Sequence, residues 1–220
     1  MHAARFQAIY ARLLDAYGPQ GWWPGETPFE VMVGAVLTQN TAWSNVERAI
    51  DRLRAAGALN PASILALPDA ELAECIRPAG YYNVKARRLK ALCDFLHAAA
   101  VLDAPERLRA LAPLSQLRRR LLLVHGIGEE TADSILLYAL ELPVFVIDAY
   151  TRRLFSRLGE ISGTESYAEL QAGFERTLPA DHRLFNEYHA LIVRHAKEAC
   201  RARPLCAHCP LRESCANPAR

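Results

Sequence analysis

Apolar side chains recur every three or four residues along almost the whole 220-residue chain. This spacing places them on one face of an α-helix, and no alternating apolar and polar run is long enough to indicate a strand. Glycine and proline clusters separate the periodic stretches. We therefore expect an all-α fold, with helices at roughly residues 4–17, 29–38, 44–56, 69–76, 84–99, 114–123, 129–140, 149–158, 166–176 and 185–199.

The composition excludes several classes of protein. A chain of this length can bury a core without disulfides, and it has no apolar run near the ~20 residues of a membrane span. Its first residues form an amphipathic helical pattern and not a secretory signal. The net charge of +2 does not by itself predict nucleic-acid binding. We expect a cytoplasmic protein that makes no membrane contact.

Four cysteines lie close together near the carboxyl terminus. Cys200, Cys206, Cys209 and Cys215 are separated by five, two and five residues. Disulfides are disfavoured in a reducing compartment, so this density indicates a metal centre. Structural zinc usually takes two CxxC-like pairs far apart, whereas one tight wrap around a single CxxC favours a [4Fe-4S] cluster. Zinc is the alternative.

A glycine-bounded turn joins two predicted helices in the segment LRRRLLLVHGIGEETADSILLYAL. Gly126 and Gly128 lack Cβ atoms, so the backbone N–H groups around Ile127 can approach a phosphate at the start of the next helix, where the helix dipole also favours an anion. Thr131 is small enough for close helix packing. The pattern predicts a helix-hairpin-helix that contacts DNA without reading its sequence; a tight connection without a ligand is the alternative.

Asp148 directly precedes the next predicted helix and follows the apolar run PVFVI. An aspartate in that position is by default a helix cap. However, VHGIGEETADSIL, VIDAYTRRL and the four-cysteine tail follow one another in the same order as in endonuclease III. Over nearly its whole length the chain resembles the helix-hairpin-helix DNA glycosylase superfamily.

The resemblance implies a two-lobed protein that acts in base excision repair. A six-helix lobe would span residues 26–142, and residues 1–25 with 143–220 would form the cluster-bearing lobe. Double-stranded DNA containing a damaged base would bind across the cleft, and we expect a monomer associated with the nucleoid. Asp148 would lie at the mouth of a pocket for the flipped base, where it stabilises positive charge on the sugar and orients or deprotonates water.

Two departures from the family pattern matter. Bifunctional members carry a catalytic lysine two residues after the second hairpin glycine, where this chain has Glu130. Since Lys85, Lys90 and Lys197 are its only lysines, we expect a monofunctional glycosylase without lyase activity. The gap between the first two cluster cysteines is also five residues, where relatives commonly have six.

The tryptophans indicate which damaged base is bound. The adenine glycosylases carry an acidic residue where this chain has Ala35, so that branch fits poorly. Trp22, Trp23 and Pro24, with Trp43 downstream, resemble the 3-methyladenine glycosylase branch. Stacking on an aromatic side chain contributes about 1 to 3 kcal/mol per base. We expect Trp43 to stack, and one of the two adjacent tryptophans to face the pocket while the other joins the core.

Further roles follow from position. Gln39 either fills the gap left by the flipped base or caps a helix end, and Lys197 either approaches the pocket or binds a phosphate. His189 and His195 are expected to be packing residues without a catalytic role. The rival hypotheses are an endonuclease III-like glycosylase for oxidised pyrimidines and a DNA-damage-binding protein without catalysis.

Overall fold

The computed structural model describes residues 2–217, which are about 65% helical and contain no strand. The expected all-α class is confirmed. None of the helices in this range has the length and apolarity needed to cross a bilayer. In chain order the α-helices are α1 (Ala3–Tyr17), α2 (Pro28–Leu37), α3 (Trp43–Ala55), α4 (Pro61–Ala66), α5 (Asp69–Cys75), α6 (Tyr82–Ala98), α7 (Leu114–Leu122), α8 (Glu129–Ser134), α9 (Ala149–Leu158), α10 (Tyr167–Thr177) and α11 (His182–Glu198).

Three features differ from the sequence prediction. Helix α4 and the 3₁₀ turn Pro105–Ala110 were not predicted, because six residues are too few to display a period. The single helix expected at residues 129–140 is instead α8 followed by the π-helical turn Ile135–Ala139. In that turn the Leu140 amide donates to the Ile135 carbonyl, five residues back, at 3.1 Å.

Residues 23–142 form one of two compact units, with α2 at its centre. Every residue from Phe29 to Leu37 is buried, and α2 packs against α3, α6, α8 and the turn Ile135–Ala139. The start of α2 is fixed by Thr27, whose hydroxyl accepts the Glu30 amide at 3.1 Å. A helix that is apolar all round must be enclosed in this way.

The other unit consists of residues 2–22 and 143–217. In this unit α11 packs against α1 and α9, around a core of aromatic rings. Phe6, Phe155 and Phe174 contact one another with ring centroids 4.7 to 4.9 Å apart. The buried Tyr188 hydroxyl donates to the Phe6 carbonyl at 2.8 Å, so the polar atom of that ring is satisfied.

Candidate functional site

Asp148 is the N-cap of α9 and is buried, with 8% of its surface exposed. Its Oδ1 accepts the Thr151 amide at 2.7 Å, and its Oδ2 lies 3.5 Å from the His189 Nε2 on α11. Burial raises the pKa of Asp148, but His189 and the hydrogen bond from the Thr151 amide outweigh burial, so the net pKa lies below its ordinary value. The carboxylate is therefore ionised at neutral pH, with one oxygen fixed by the backbone.

His189 is the residue that the sequence prediction missed at this position. It was expected only to pack, yet its ring nitrogen faces the Asp148 carboxylate. The two residues are 41 positions apart on different helices, so no local pattern links them. A buried carboxylate beside an imidazole can stabilise nearby positive charge and accept a proton from water.

Lys197 lies on the exposed side of α11, near the end of that helix. Its Nζ is 5.9 Å from the centroid of the Tyr150 ring, and the Arg153 guanidinium is 5.1 Å from the same ring. Tyr150 follows Asp148 by two residues. Two cations therefore lie over the first turn of α9.

The predicted hairpin is a tight turn between α7 and α8 in the unit of residues 23–142. Gly126 has a φ of +80°, and a Cβ there would collide with the Arg88 side chain. Gly128, the N-cap of α8, has a φ of −90°, and a Cβ there would meet no atom within 4 Å. The fold therefore requires glycine at the first position but not at the second. Ile127 is buried, and Glu130 is exposed in the first turn of α8.

Gln39 is hydrogen-bonded to this hairpin. Its Nε2 donates to the Gly126 carbonyl at 3.0 Å and to the Thr131 hydroxyl at 2.9 Å. Its Oε1 accepts from the Arg88 guanidinium. The side chain thus links the polar segment after α2 to the hairpin and does not cap a helix end.

Two of the predicted pocket tryptophans are brought together. Trp23 and Trp43 pack edge to face with ring centroids 5.2 Å apart, and the centroid of the Tyr138 ring is also 5.2 Å from that of Trp23. The indole also covers Gly34 of α2, where a Cβ would lie 2.9 Å from the Trp23 Cζ2. Trp22 is half-buried and belongs to the unit of residues 2–22 and 143–217, while Pro24 is exposed.

The two lysines of the unit of residues 23–142 are held by the fold. The buried Lys85 ammonium donates to the Leu37 carbonyl, the Thr41 hydroxyl and the Ala79 carbonyl at 2.6 to 2.8 Å. Burial, and to a lesser extent Arg88, lowers the pKa of Lys85 to about 8. Lys90 donates to the Leu67 carbonyl at 2.7 Å. Both ammonium groups therefore donate hydrogen bonds to neighbouring groups of the fold.

The four tail cysteines line one pocket, together with the apolar residues Leu154, Leu158 and Leu211. Cys200 is buried, the other three are half-buried, and none of these four described residues forms a disulfide. Among residues 2–217, no group of three or more His, Cys, Asp and Glu side chains is arranged to hold a metal ion. Four cysteines that line one cavity match the donor set of a [4Fe-4S] cluster, which takes four thiolates.

Two arginines of α9 hold the chain around that pocket. Arg153 donates to the Ala196 and Cys200 carbonyls at 3.1 and 2.9 Å. Arg157 donates to the Arg201 carbonyl at 2.6 Å and to the Cys200 Sγ at 3.3 Å. The segment from Cys200 to Cys215, the cysteine loop, is thus anchored to the helix that Asp148 caps.

Comparison with known proteins gives concordant matches. The model of HhH-GPD superfamily base excision DNA repair proteins matches residues 33–180. A protein of Methanocaldococcus jannaschii with the provisional name DNA repair glycosylase MJ1434 is 50% identical over 207 residues, which cover 94% of each chain.

Solved structures are similar as well. The H. pylori 3-methyladenine DNA glycosylase MagIII, solved with bound 1,N6-ethenoadenine, is 32% identical with a TM-score of 0.72, over 88% of this chain and 97% of that chain. A non-covalent endonuclease III–DNA complex has a TM-score of 0.84 over 99% of this chain and 97% of that chain, and at 22% identity it shares the fold.

Proposed function

Because the chain belongs to the HhH-GPD superfamily of base excision DNA repair proteins, we propose that it is a DNA glycosylase that hydrolyses the N-glycosidic bond of a flipped, damaged base. The observation that carries this proposal is Asp148, a buried and ionised carboxylate held by Thr151 and His189 at the start of α9. A structural cap needs neither the burial nor the imidazole, so this environment favours a chemical role.

In the proposed reaction, Asp148 stabilises the positive charge that develops on the deoxyribose as the bond to the base breaks. It also orients the attacking water and accepts its proton. His189 keeps the carboxylate ionised and fixes the Oδ2 side, while the Thr151 amide fixes Oδ1. Flipping the base costs a few kcal/mol, and least for a damaged or poorly paired base.

We propose that the enzyme is monofunctional and leaves an abasic site. Glu130, which stands where bifunctional relatives have lysine, cannot form a Schiff base. Lys85 and Lys90 are engaged by backbone carbonyls. Of the three lysines, all of which lie in the described part of the chain, Lys197 alone is an exposed residue, and its amine lies over Tyr150.

An alkylated purine such as 3-methyladenine is the proposed substrate. The support is the contact of Trp23 with Trp43 and Tyr138, together with a 32% identical relative that is named a 3-methyladenine glycosylase. Electron-rich indoles stack well on electron-poor alkylated purines. That Trp22, Pro24 and Lys197 contact the base as well stays a prediction from the sequence.

The hairpin is proposed to hold the DNA backbone through the amides of Gly126 and Gly128. The Ile127 amide, which was predicted to join them, instead donates to the Val124 carbonyl at 3.1 Å. The open space beside Gly128 supports this, because the fold itself does not need glycine there. Gln39 is proposed to enter the gap left by the flipped base, which requires exchange of its bonds to Arg88, Gly126 and Thr131.

We further propose that Cys200, Cys206, Cys209 and Cys215 hold a [4Fe-4S] cluster, which is supported by their common pocket. Bound there, the cluster would supply structural order, since hydrolysis by water transfers no electron. The loop then presents the exposed Arg201, Arg203 and Arg212 to phosphates. A brown protein as purified would agree with this proposal, and a colourless zinc protein would contradict it.

The decisive test uses Asp148→Asn on duplexes that each carry one lesion, assayed with and without alkali. Asparagine caps helices as well as aspartate does, so α9 should persist. We expect base release to fall at least 100-fold with DNA affinity retained, and wild-type strand breaks to require alkali. The matched control is Asp181→Asn, which changes an exposed aspartate cap on α11 and should leave both activities intact.

The same panel separates the rival functions. Release of oxidised pyrimidines in place of alkylated purines would overturn the substrate proposal. Undiminished base release by Asp148→Asn would overturn the assignment of the carboxylate, and no release of any base by the wild type would leave a DNA-damage-binding protein. Light scattering tests the proposal that the protein acts as a monomer.

A further inference from the structure

His195 lies on α11 between two unrelated segments of its unit. The side chain is fully buried, with 0% of its surface exposed. Its Nδ1 is 2.9 Å from the Tyr17 hydroxyl at the end of α1, and its Nε2 is 3.7 Å from the Cys209 Sγ. Both ring nitrogens therefore have a defined neighbour, although His195 has no part in the proposed hydrolysis.

The chemistry of these neighbours determines which nitrogen carries hydrogen. A thiolate bound to iron has no proton and can only accept a hydrogen bond. The Nε2 atom must then carry the hydrogen and donate it to the Cys209 sulfur. In a neutral ring Nδ1 has a lone pair, which accepts the hydroxyl hydrogen of Tyr17.

We propose that His195 is a positioning residue for the cluster, donating an N–H···S hydrogen bond to the Cys209 thiolate and receiving one from Tyr17. This inference rests on the proposed cluster. These two hydrogen bonds connect α1, α11 and the cysteine loop through the buried imidazole ring of His195. In metal sites such a partner fixes the ligand and tunes its electronic properties.

The hydrogen bond has a measurable consequence for the cluster. Reduction adds negative charge to the iron and sulfur atoms, and a donor aimed at a ligating sulfur stabilises that charge. Removing the donor should therefore lower the reduction potential, whereas a residue that only fills space would leave the potential unchanged. No electron transfer during base release is implied.

The test compares the wild type with His195→Leu and His195→Gln by voltammetry at matched iron content. Leucine keeps the bulk and removes the donor, while glutamine retains an N–H group. We expect a lower potential for His195→Leu and a value nearer the wild type for His195→Gln. Equal potentials in all three proteins would refute the hydrogen bond.

A second measurement uses the unaltered protein, so it holds even if the leucine variant fails to fold. Nitrogen-15 spectra of the imidazole should show a protonated Nε2 and a bare Nδ1; the reverse tautomer overturns the inference. A wild-type protein isolated without iron would instead refute the cluster itself. Failure of that premise is thus distinguishable from failure of the role of His195.

Discussion

Gly34 gives the sharpest test of how the tryptophan cluster is built, because two opposing effects act at one atom. In a helix interior, alanine is favoured over glycine by up to about 1 kcal/mol. At Gly34, however, the new Cβ would lie 2.9 Å from Cζ2, 3.1 Å from Nε1 and 3.2 Å from Cε2 of Trp23. The indole cannot swing away freely, since it also packs against Trp43 and Tyr138. Overpacking of this kind typically costs about 1 to 3 kcal/mol.

We therefore expect Gly34→Ala to lower the free energy of unfolding by about 1 kcal/mol, a melting-temperature change of roughly 2 to 4 °C for a chain of this size. Tryptophan fluorescence should change with it, and KM for the damaged base should rise.

The double variant with Trp23→Phe isolates the clash. Phenylalanine has no counterpart of Cζ2, the nearest of the three atoms, and its ring is smaller. Gly34→Ala in that background should therefore be neutral or stabilising, giving an interaction energy of about 1 to 2 kcal/mol. If Gly34→Ala stabilises the wild type, or destabilises both backgrounds equally, the packing explanation is wrong.

Three further outcomes test other parts of the site. Gly128→Ser should leave the melting temperature unchanged but weaken DNA binding. Gly126→Ala should lower the melting temperature, because the position has a φ of +80° and the new Cβ meets the Arg88 side chain. If the two variants change DNA binding and melting temperature alike, the hairpin proposal is wrong. Borohydride should trap no covalent adduct with damaged duplex, and a good yield would show that Lys197 or another amine acts. The pKa of Asp148 is depressed, so its ionised form stabilises the fold at neutral pH. The difference in the free energy of unfolding between the wild type and Asp148→Asn should therefore shrink only as pH falls below about 4. If that difference is lost near pH 6, the pKa is not depressed.

Local patterns in the sequence predicted the helices well. The bounds of most expected helices agree with the structure to within three residues. Each long helix buries one face, so its apolar residues recur at the helical spacing that the prediction used. Helix α4 and the turn Pro105–Ala110 escaped because a six-residue segment has no period to detect. The sequence did not predict the π-helical turn after α8 for a different reason. All five of its residues are buried, and a continuous apolar run of this kind looks the same in an α-helix.

The site could be anticipated only where its residues are marked locally. The two hairpin glycines, Asp148 and the cysteines stand out in the chain itself. The partner of Asp148 does not, because His189 comes from another helix and a lone histidine on an apolar face resembles a core residue. Arg88 was likewise missed: its contacts with Gln39 and Gly126 span 49 and 38 positions, and both depend on the packing of α6 beside the hairpin.

The contacts of α9 explain why a hydrolytic enzyme would keep a metal-binding tail. Asp148 caps one end of this ten-residue helix, and Arg153 and Arg157, one turn apart, extend from its middle and its last turn. Their guanidinium groups satisfy carbonyls at the end of α11 and in the cysteine loop that have no partner within the helix. Since α11 also carries His189, the same contacts that hold the loop fix the register of α9 against α11 and hence the separation of 3.5 Å between Asp148 and His189. An ordered tail would thus support the carboxylate through the geometry of α9, without any electron passing from the cluster.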